Sequence, residues 1–173
     1  MRFVDFLKAT VMLSAGAATL LAVLTLISAS RDFEPSAIEV SLGWWAVAAI
    51  IGTWLGRRAQ ASAQIARLLA SARTQTILPE LHPGRTLVNR LWPLLLMTVG
   101  AGVASVFVPQ VAGVATGFAI IWALAWRRQD SAVAAIEERD GVRFYVEQTS
   151  PLSPIRLIRT PGFGGQFLAM DGG

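Results

Sequence analysis

The sequence predicts an all-α membrane protein: four transmembrane helices with a small cytoplasmic cap, made of an amphipathic helix and a C-terminal two-stranded hairpin. Three observations lead to this fold class. The 173 residues are 54% hydrophobic and only 15% charged, whereas soluble domains carry about 25% charged residues. The apolar residues form four long runs, and basic residues collect at the ends of those runs. We therefore predict a four-span bundle over residues 1–140, including an arginine-rich loop at 57–90, and a hairpin and tail over 141–173.

The four apolar runs predict the spans. They contain no Asp, Glu, Lys, Arg or His and cover residues 9–28, 42–55, 91–108 and 111–126. Crossing a bilayer core of about 30 Å takes about 20 helical residues. The fourth run is short, which predicts local thinning of the bilayer or a turn below the outer surface. Small residues at 28–30 resemble a signal-cleavage site, but the first run exceeds the usual apolar length of about 7–15 residues, so a retained span is favoured.

Charge predicts the orientation of these spans. The loop at 57–90 holds six arginines, whereas the connection at 31–40 holds one arginine and three acids. Basic loops stay on the cytoplasmic side. Both termini are therefore predicted to lie on the cytoplasmic side of the plasma membrane, and Arg31 is the only basic residue predicted to lie on the outer side. Six arginines are predicted to fix the orientation of the spans or to contact lipid head groups: Arg57, Arg58, Arg85, Arg90, Arg127 and Arg128.

Proline positions refine the predicted third and fourth spans. Pro93 is expected at an early helical position, where proline is well tolerated. Pro109 with Gln110 predicts a very short outer turn, so these two spans should form a tight antiparallel hairpin. A turn is expected at residues 82–84, where His82 is followed by proline and glycine.

An amphipathic helix is predicted from residue 57 to residue 77. At 100° per residue, Leu68 and Leu69 share a face with Ile65, and polar residues occupy the opposite face. The helix could lie on the inner leaflet or dock onto a partner. It could equally extend the second span and pack on the protein's own tail. The sequence favours neither interpretation.

The C-terminal region is predicted to continue the fourth span as a helix to Arg139. Three acids near its end, Glu137, Glu138 and Asp140, are predicted to be solvated surface. Residues 142–147 then alternate between apolar and polar, which predicts a half-buried strand, and 155–159 predict a second strand. Two strands alone are marginally stable, so this hairpin should pack on the loop helix, on another subunit, or on a sheet edge.

The sequence offers little for chemistry. It has no cysteine and no recognised catalytic or phosphate-binding motif. We therefore predict no catalytic residues, no cofactor and no metal, since His82 is the only histidine. Spans without ionisable residues argue against a stand-alone proton-coupled transporter, pump or channel. A lipid-modifying enzyme would need a site around His82 and Glu80, and is not expected. No nucleic-acid partner is expected either, because the arginines lie at span ends.

Candidate partner contacts come from three features: two GxxxG pairs in the spans, the apolar face of the loop helix, and the tail strands. GxxxG pairs let helix backbones approach closely, although ordinary span composition explains them equally well in a chain with 15 glycines. The candidate interface residues are Gly52, Gly56, Gly113, Gly117, Leu68, Leu69, Phe144, Tyr145, Ile155 and Leu157.

The tail segment RFYVEQTSPLSPIRLIRTPGF, at residues 143–163, follows an Ala/Val-rich four-span body with an arginine-rich middle loop. In this combination the chain resembles the lipid-uptake-coordinator (Luc) accessory proteins of actinobacterial mammalian-cell-entry (Mce) lipid importers. The resemblance implies a non-catalytic subunit that binds a permease or ATPase and supports assembly, stability or regulation of a lipid-transport complex. The alternative is a small self-assembling lipid-binding or transport protein, and a homo-oligomer is compatible with either.

Overall fold

The structure is a computed structural model that describes residues 1–32, 35–57, 62–74, 83–108, 110–147 and 153–161. It is mostly helical and contains one small sheet. The helices are α1 Phe3–Asp32, α2 Pro35–Leu55, α3 Ala63–Ala70, α4 Pro83–Ala104, α5 Gln110–Trp126 and α6 Gln129–Asp140, and the strands are β1 Arg73–Thr74, β2 Val142–Val146 and β3 Leu157–Pro161.

The chain divides into two compact units. The helical unit comprises Lys8–Arg58 and Leu91–Arg128. The sheet unit falls within Met1–Leu7, Ala59–Arg90 and Gln129–Gly173. This division does not follow the predicted boundary at residue 140, because the first residues of the chain, the arginine-rich loop and α6 belong with the tail strands.

Four helical stretches are long and apolar enough to cross a membrane, by length and composition. They are Phe3–Ser30, Ile38–Leu55, Gly84–Ala104 and Gln110–Asp140. The prediction of four apolar helices is confirmed at this level. The last stretch joins α5 to α6 through a turn at Arg127 and Arg128, so the helical continuation of the fourth run is also confirmed.

Two predicted non-helical segments are largely helical. The expected loop at 31–40 contains the end of α1 and the start of α2, and the expected turn at 82–84 contains the start of α4. The helices that begin in these segments, α2 and α4, each start with a proline, Pro35 and Pro83. Proline suits a first helical position because the N–H that it lacks would have no helical partner there. Pro93, expected early in its helix, lies well inside α4.

The helical unit buries small side chains and exposes large ones. Its least exposed residues include Ser14, Ala48, Ala112 and Thr116, while Phe107 is 82% exposed. The buried hydroxyls bond to carbonyls one turn back in their own helices: Ser14 to Thr10 at 2.8 Å, and Thr116 to Ala112 at 2.8 Å. The polar side chains of the unit's interior are therefore satisfied locally.

Close helix packing in the helical unit occurs between α2 and α5. A Cβ atom placed on Gly52 would lie 2.8 Å from Leu124 Cβ, and one on Gly56 would collide with the Leu124 carbonyl oxygen. Glycine at these positions removes the side chain that would hold the backbones apart. The two helices can therefore approach more closely than any larger residue would allow.

The first turns of α5 are tied to α2 by two indole N–H groups. Trp45 Nε1 donates to the Gly113 carbonyl at 2.8 Å, and Trp44 Nε1 donates to the Val114 carbonyl at 3.1 Å. Gly117 faces the Trp44 ring, which leaves no room for a Cβ. These two tryptophans therefore hydrogen-bond the neighbouring helix α5.

The sheet unit is built around three strands in the order β1-β3-β2. β3 pairs antiparallel with β2 and parallel with β1. The first residues of the chain extend the sheet at the other edge of β2, where Arg2 bridges to Tyr145 and the Val146 N–H donates to the Met1 carbonyl at 3.0 Å. The predicted two-stranded hairpin is therefore part of a larger sheet, and it begins β3 two residues later than expected.

The predicted amphipathic helix at 57–77 is wrong in length. Of the described residues in this range, 57 and 62–74, helix covers only Ala63–Ala70. Ser62 Oγ accepts from the Ile65 N–H at 3.4 Å, and Arg73 and Thr74 form β1. Pairing with β3 overrides the helical periodicity that continues past Ser71. Ile65 is nevertheless buried, and the loop and the tail share one compact unit, so their expected association is confirmed.

Strand β2 is buried on one face and partly buried on the other, where Arg143 is exposed. Val142, Phe144 and Val146 are buried on one face, as predicted, but Tyr145 on the other is only 8% exposed. The expectation of a half-buried strand is therefore wrong for Tyr145. Its backbone bridges to Arg2, and Phe3 and Leu7 at the start of α1 are fully buried. Residues 1–7 thus contribute to the core of the sheet unit.

Candidate functional site

An apolar groove lies between α4 and α5 in the helical unit. Its volume is about 830 Å³, within the range of about 300–1,000 Å³ typical of small-molecule sites. Small residues, Ala101 and Ala119, line its buried part, and Met97, Phe118 and Trp122 line its exposed edges. The tight hairpin predicted for these helices is therefore wrong, since an open groove separates them.

Helix α4 makes the groove because it packs little against the rest of its unit. Only 6% of its most apolar stretch is buried. Gly100 lines the groove, and a Cβ placed on it would meet no atom within 4 Å. Gly100 and Ala104 are spaced four residues apart, so they leave a shallow strip on one side of α4.

The groove carries almost no polar chemistry. Thr98, one of its few polar residues, donates its hydroxyl to the Leu94 carbonyl at 2.7 Å. Gln110 lies at the start of α5 and also contributes to the lining. Such a surface can hold an acyl chain or the side of an apolar helix, because neither needs a hydrogen-bond partner there.

A second arrangement of interest is the ion pair between Arg2 and Glu137 in the sheet unit. Arg2 Nη2 lies 2.8 Å from Glu137 Oε2, and Glu137 Oε1 accepts the Phe144 N–H at 2.9 Å. The Glu137 side chain is 6% exposed, so its predicted place on the solvated surface is wrong. The hydrogen bond to this carboxylate raises the pKa of Arg2 above its usual value.

Glu137 therefore joins three segments of the chain: α6, β2 and the N-terminal residues. Burial also lowers the pKa of the Met1 amine, consistent with the packing of the chain start against β2. The Glu137 contacts stabilise the sheet unit, whereas desolvation of the charged Met1 amine costs free energy. Each carboxylate oxygen of Glu137 accepts a hydrogen bond within the chain.

The arginines assigned to topology or head groups have different surroundings. Arg90 donates to the carbonyls of Ser153 and Pro154, the second at 3.5 Å, so it holds the connector before β3. Arg57, Arg85 and Arg127 are exposed, and exposed Arg128 donates to the Arg57 carbonyl at 3.3 Å. Arg58 lies outside the described residues.

The candidate partner residues are mostly occupied within the chain. The four glycines of the GxxxG pairs contact neighbouring helices of their own unit. Phe144, Tyr145 and Leu157 are buried in the sheet unit. Leu68, Leu69 and Ile155 are half-buried. His82 and Glu80, the centre of the enzyme hypothesis, lie outside the described residues.

The groove residues were not identified from the sequence. Gly100 and Ala104 have the same four-residue spacing as the GxxxG pairs, so a search for small residues in general would have found them. The sequence alone would not have shown which pair stays open. Over the described ranges, no group of His, Cys, Asp and Glu side chains could hold a metal ion.

Comparison with known proteins adds no relative. The chain matches no protein-family profile, and no curated protein or solved structure is detectably similar to it.

Proposed function

We propose that this chain is a non-catalytic accessory subunit of a multi-subunit transport complex in the plasma membrane, and that the α4–α5 groove receives an apolar helix of a permease or ATPase partner. The observation that carries the proposal is the open side of α4. A helix with 6% of its apolar stretch buried has most of its surface available for lipid or protein.

The lining of the groove favours a helix as its occupant. Small residues let transmembrane backbones approach within van der Waals contact, and here they form the buried part of the groove. In the α2–α5 contact the chain already uses small residues in this way. The same kind of surface on α4 is unused within the described chain.

The orientation is part of the proposal. With the arginine-rich loop inside, both termini and the sheet unit lie in the cytoplasm. The resemblance of residues 143–163 to Luc proteins suggests that the complex imports lipid or fatty acid. This chain would then support the assembly, stability or regulation of that complex. The arginines at the helix ends would then contact anionic head groups.

The test is purification of the tagged full-length chain from its native membrane in mild detergent, followed by mass spectrometry. A permease or ATPase subunit should co-purify at a fixed ratio. Gly100→Leu should reduce its recovery at least several-fold, because the leucine side chain would occupy the groove, and a Cβ at this position meets no atom of this chain within 4 Å. Gly16→Leu is the matched control, since Gly16 is another open helical glycine that does not line the groove.

Recovery of this protein alone, as a monodisperse homo-oligomer, would contradict the proposal. The apolar groove would then favour the alternative function, a small self-assembling lipid-binding or transport protein. Lipid extracted from the purified protein, and lost in Gly100→Leu but not in Gly16→Leu, would support that alternative. Equal recovery of the partner with both variants would show that the partner does not bind in the groove.

A further inference from the structure

The sheet unit contains a second, smaller pocket, at the start of strands β1 and β3. It measures about 210 Å³ and is lined by Ser71, Arg73, Ile155, Arg156 and Leu157. The pocket exists because β1 pairs with β3 in parallel, with Arg73 opposite Ile158. Parallel pairing brings the beginnings of both strands together, so two arginines far apart in sequence line one concave surface.

The charge of this pocket is one-sided. Among the described residues, its lining includes two arginines and no acidic residue. Elsewhere in the described chain, Arg2 and Arg139 are paired with acids and Arg90 with carbonyls. Among the described residues, neither the Arg73 side chain nor the Arg156 side chain makes a hydrogen bond or an ion pair. Two like charges beside one pocket repel each other, and an anion bound between them would remove that repulsion.

The lining residues indicate which anion fits. Guanidinium groups present planar pairs of N–H donors that match phosphate oxygens. The Ser71 hydroxyl already donates to the Leu68 carbonyl at 3.1 Å, so the two arginines supply the donors. Half-buried Ile155 and buried Leu157 are apolar, and by excluding water they strengthen the electrostatic attraction of the site.

The size of the pocket limits the ligand. At about 210 Å³ it lies below the range of about 300–1,000 Å³ usual for whole drug-sized ligands. It has room for a phosphate group with a few waters, each of which occupies about 30 Å³ in the liquid. The rest of a larger ligand would extend out of the pocket.

We propose that the pocket formed by Arg73 and Arg156 at the start of β1 and β3 binds a phosphate group, either as a soluble anion or as a lipid head group. The site lies wholly within the sheet unit and does not depend on the partner proposed for α4.

The experiment uses the full-length chain in two kinds of nanodisc. In phosphatidylcholine discs, inorganic phosphate is titrated by calorimetry. In discs that contain both phosphatidylcholine and phosphatidylglycerol, native mass spectrometry measures how much phosphatidylglycerol the protein retains after its release from the disc. Arg73→Gln and Arg156→Gln should each weaken binding about tenfold, the loss expected when one charge-assisted contact is removed. Added salt should weaken it too.

Arg143→Gln is the matched control, because Arg143 is an exposed arginine of the same sheet that does not line the pocket. A selective loss of inorganic phosphate binding identifies a soluble anion, and a selective loss of retained phosphatidylglycerol identifies a head group. Arg156 precedes β3, so its variant tests the site even if Arg73→Gln disturbs β1. The proposal is overturned if neither probe binds, or if Arg156→Gln affects both probes no more than Arg143→Gln does.

Discussion

The helical unit and the sheet unit distribute their side chains in opposite ways. Apart from Val88, every exposed large hydrophobic residue of the described chain falls in the helical unit. There the interior holds mostly alanine, glycine, serine and threonine, and Leu21 and Leu91 are its large buried residues among those described. In the sheet unit the interior holds large residues such as Phe3, Ile65 and Phe144, and arginines occupy the exposed positions.

This contrast indicates two different solvents. Burying large apolar side chains stabilises a fold in water, where apolar surface is costly. In a bilayer that driving force is absent between helices, and small residues allow the close contacts that hold them together. The sheet unit therefore has the organisation of a water-exposed domain. The helical unit has the organisation expected of a membrane domain.

The sharpest test of the contrast is one substitution made in each unit. Phe144→Ala in β2 should destabilise the sheet unit by about 3–5 kcal/mol, because it leaves a cavity in a buried core. Phe107→Ala should change stability by less than about 0.5 kcal/mol, because Phe107 is mostly exposed and makes few contacts to lose. Calorimetry of the full chain in nanodiscs measures both. Similar losses for the two variants would remove the distinction between the units.

Helix contacts in the helical unit should be intolerant of a single methyl group. Gly56→Ala places a Cβ against the Leu124 carbonyl, a backbone atom that cannot rotate away, and should cost about 1–3 kcal/mol. Gly16→Ala meets no atom and should be neutral or slightly stabilising. All six tryptophans lie in the helical unit, so thermal unfolding followed by tryptophan fluorescence reports this effect. Equal midpoints would contradict the close α2–α5 contact.

The sheet unit should depend on one buried carboxylate. Glu137→Ala removes the acceptor for Arg2 and for the Phe144 N–H and should cost about 1–2 kcal/mol. The loss is limited because Arg2 is partly exposed and water can replace its contact with Glu137. Glu138→Ala, at the exposed neighbouring position, serves as the control and should have little effect. Limited proteolysis of the tail measures the difference, and equal protection in both variants would show that Glu137 does not hold the unit together.

The smallest expected effect concerns a single indole. Trp45→Phe keeps the aromatic ring but removes the 2.8 Å bond to the Gly113 carbonyl, and should cost about 0.5–1.5 kcal/mol. Trp122→Phe, at an exposed edge of the groove, should change stability less. Urea unfolding followed by circular dichroism compares the two. A larger loss for Trp122→Phe would show that the indole bond contributes little to the α2–α5 contact.

The sequence predicts what depends on neighbouring residues along the chain. Long uncharged runs gave four apolar helices, and the alternation at 142–147 gave β2. The errors come from contacts between distant segments. Arg73 and Thr74 lie in a helical periodicity, yet they pair with β3, eighty-five residues further on. Glu137 lies beside charged neighbours, and only the approach of Arg2 and β2 explains why it is buried.

The candidate site was harder to predict for the same reason. The spacing of Gly100 and Ala104 resembles that of Gly52 and Gly56. One pair is filled by a neighbouring helix and the other stays open, and this difference depends on how α2, α4 and α5 pack. Periodicity can find small-residue faces, but it cannot assign each face to a contact within or outside the chain.

The proposed function places the helical unit in the membrane and the sheet unit in the cytoplasm. The chain has no cysteine, so single substitutions give unique labels. Ser36→Cys, near the start of α2, and Ser131→Cys, in α6, are both at exposed positions. In intact cells, a membrane-impermeant maleimide should label the cysteine at position 36 and not the one at 131, which should react only after permeabilisation. Labelling of both in intact cells, or of 131 alone, would contradict the account.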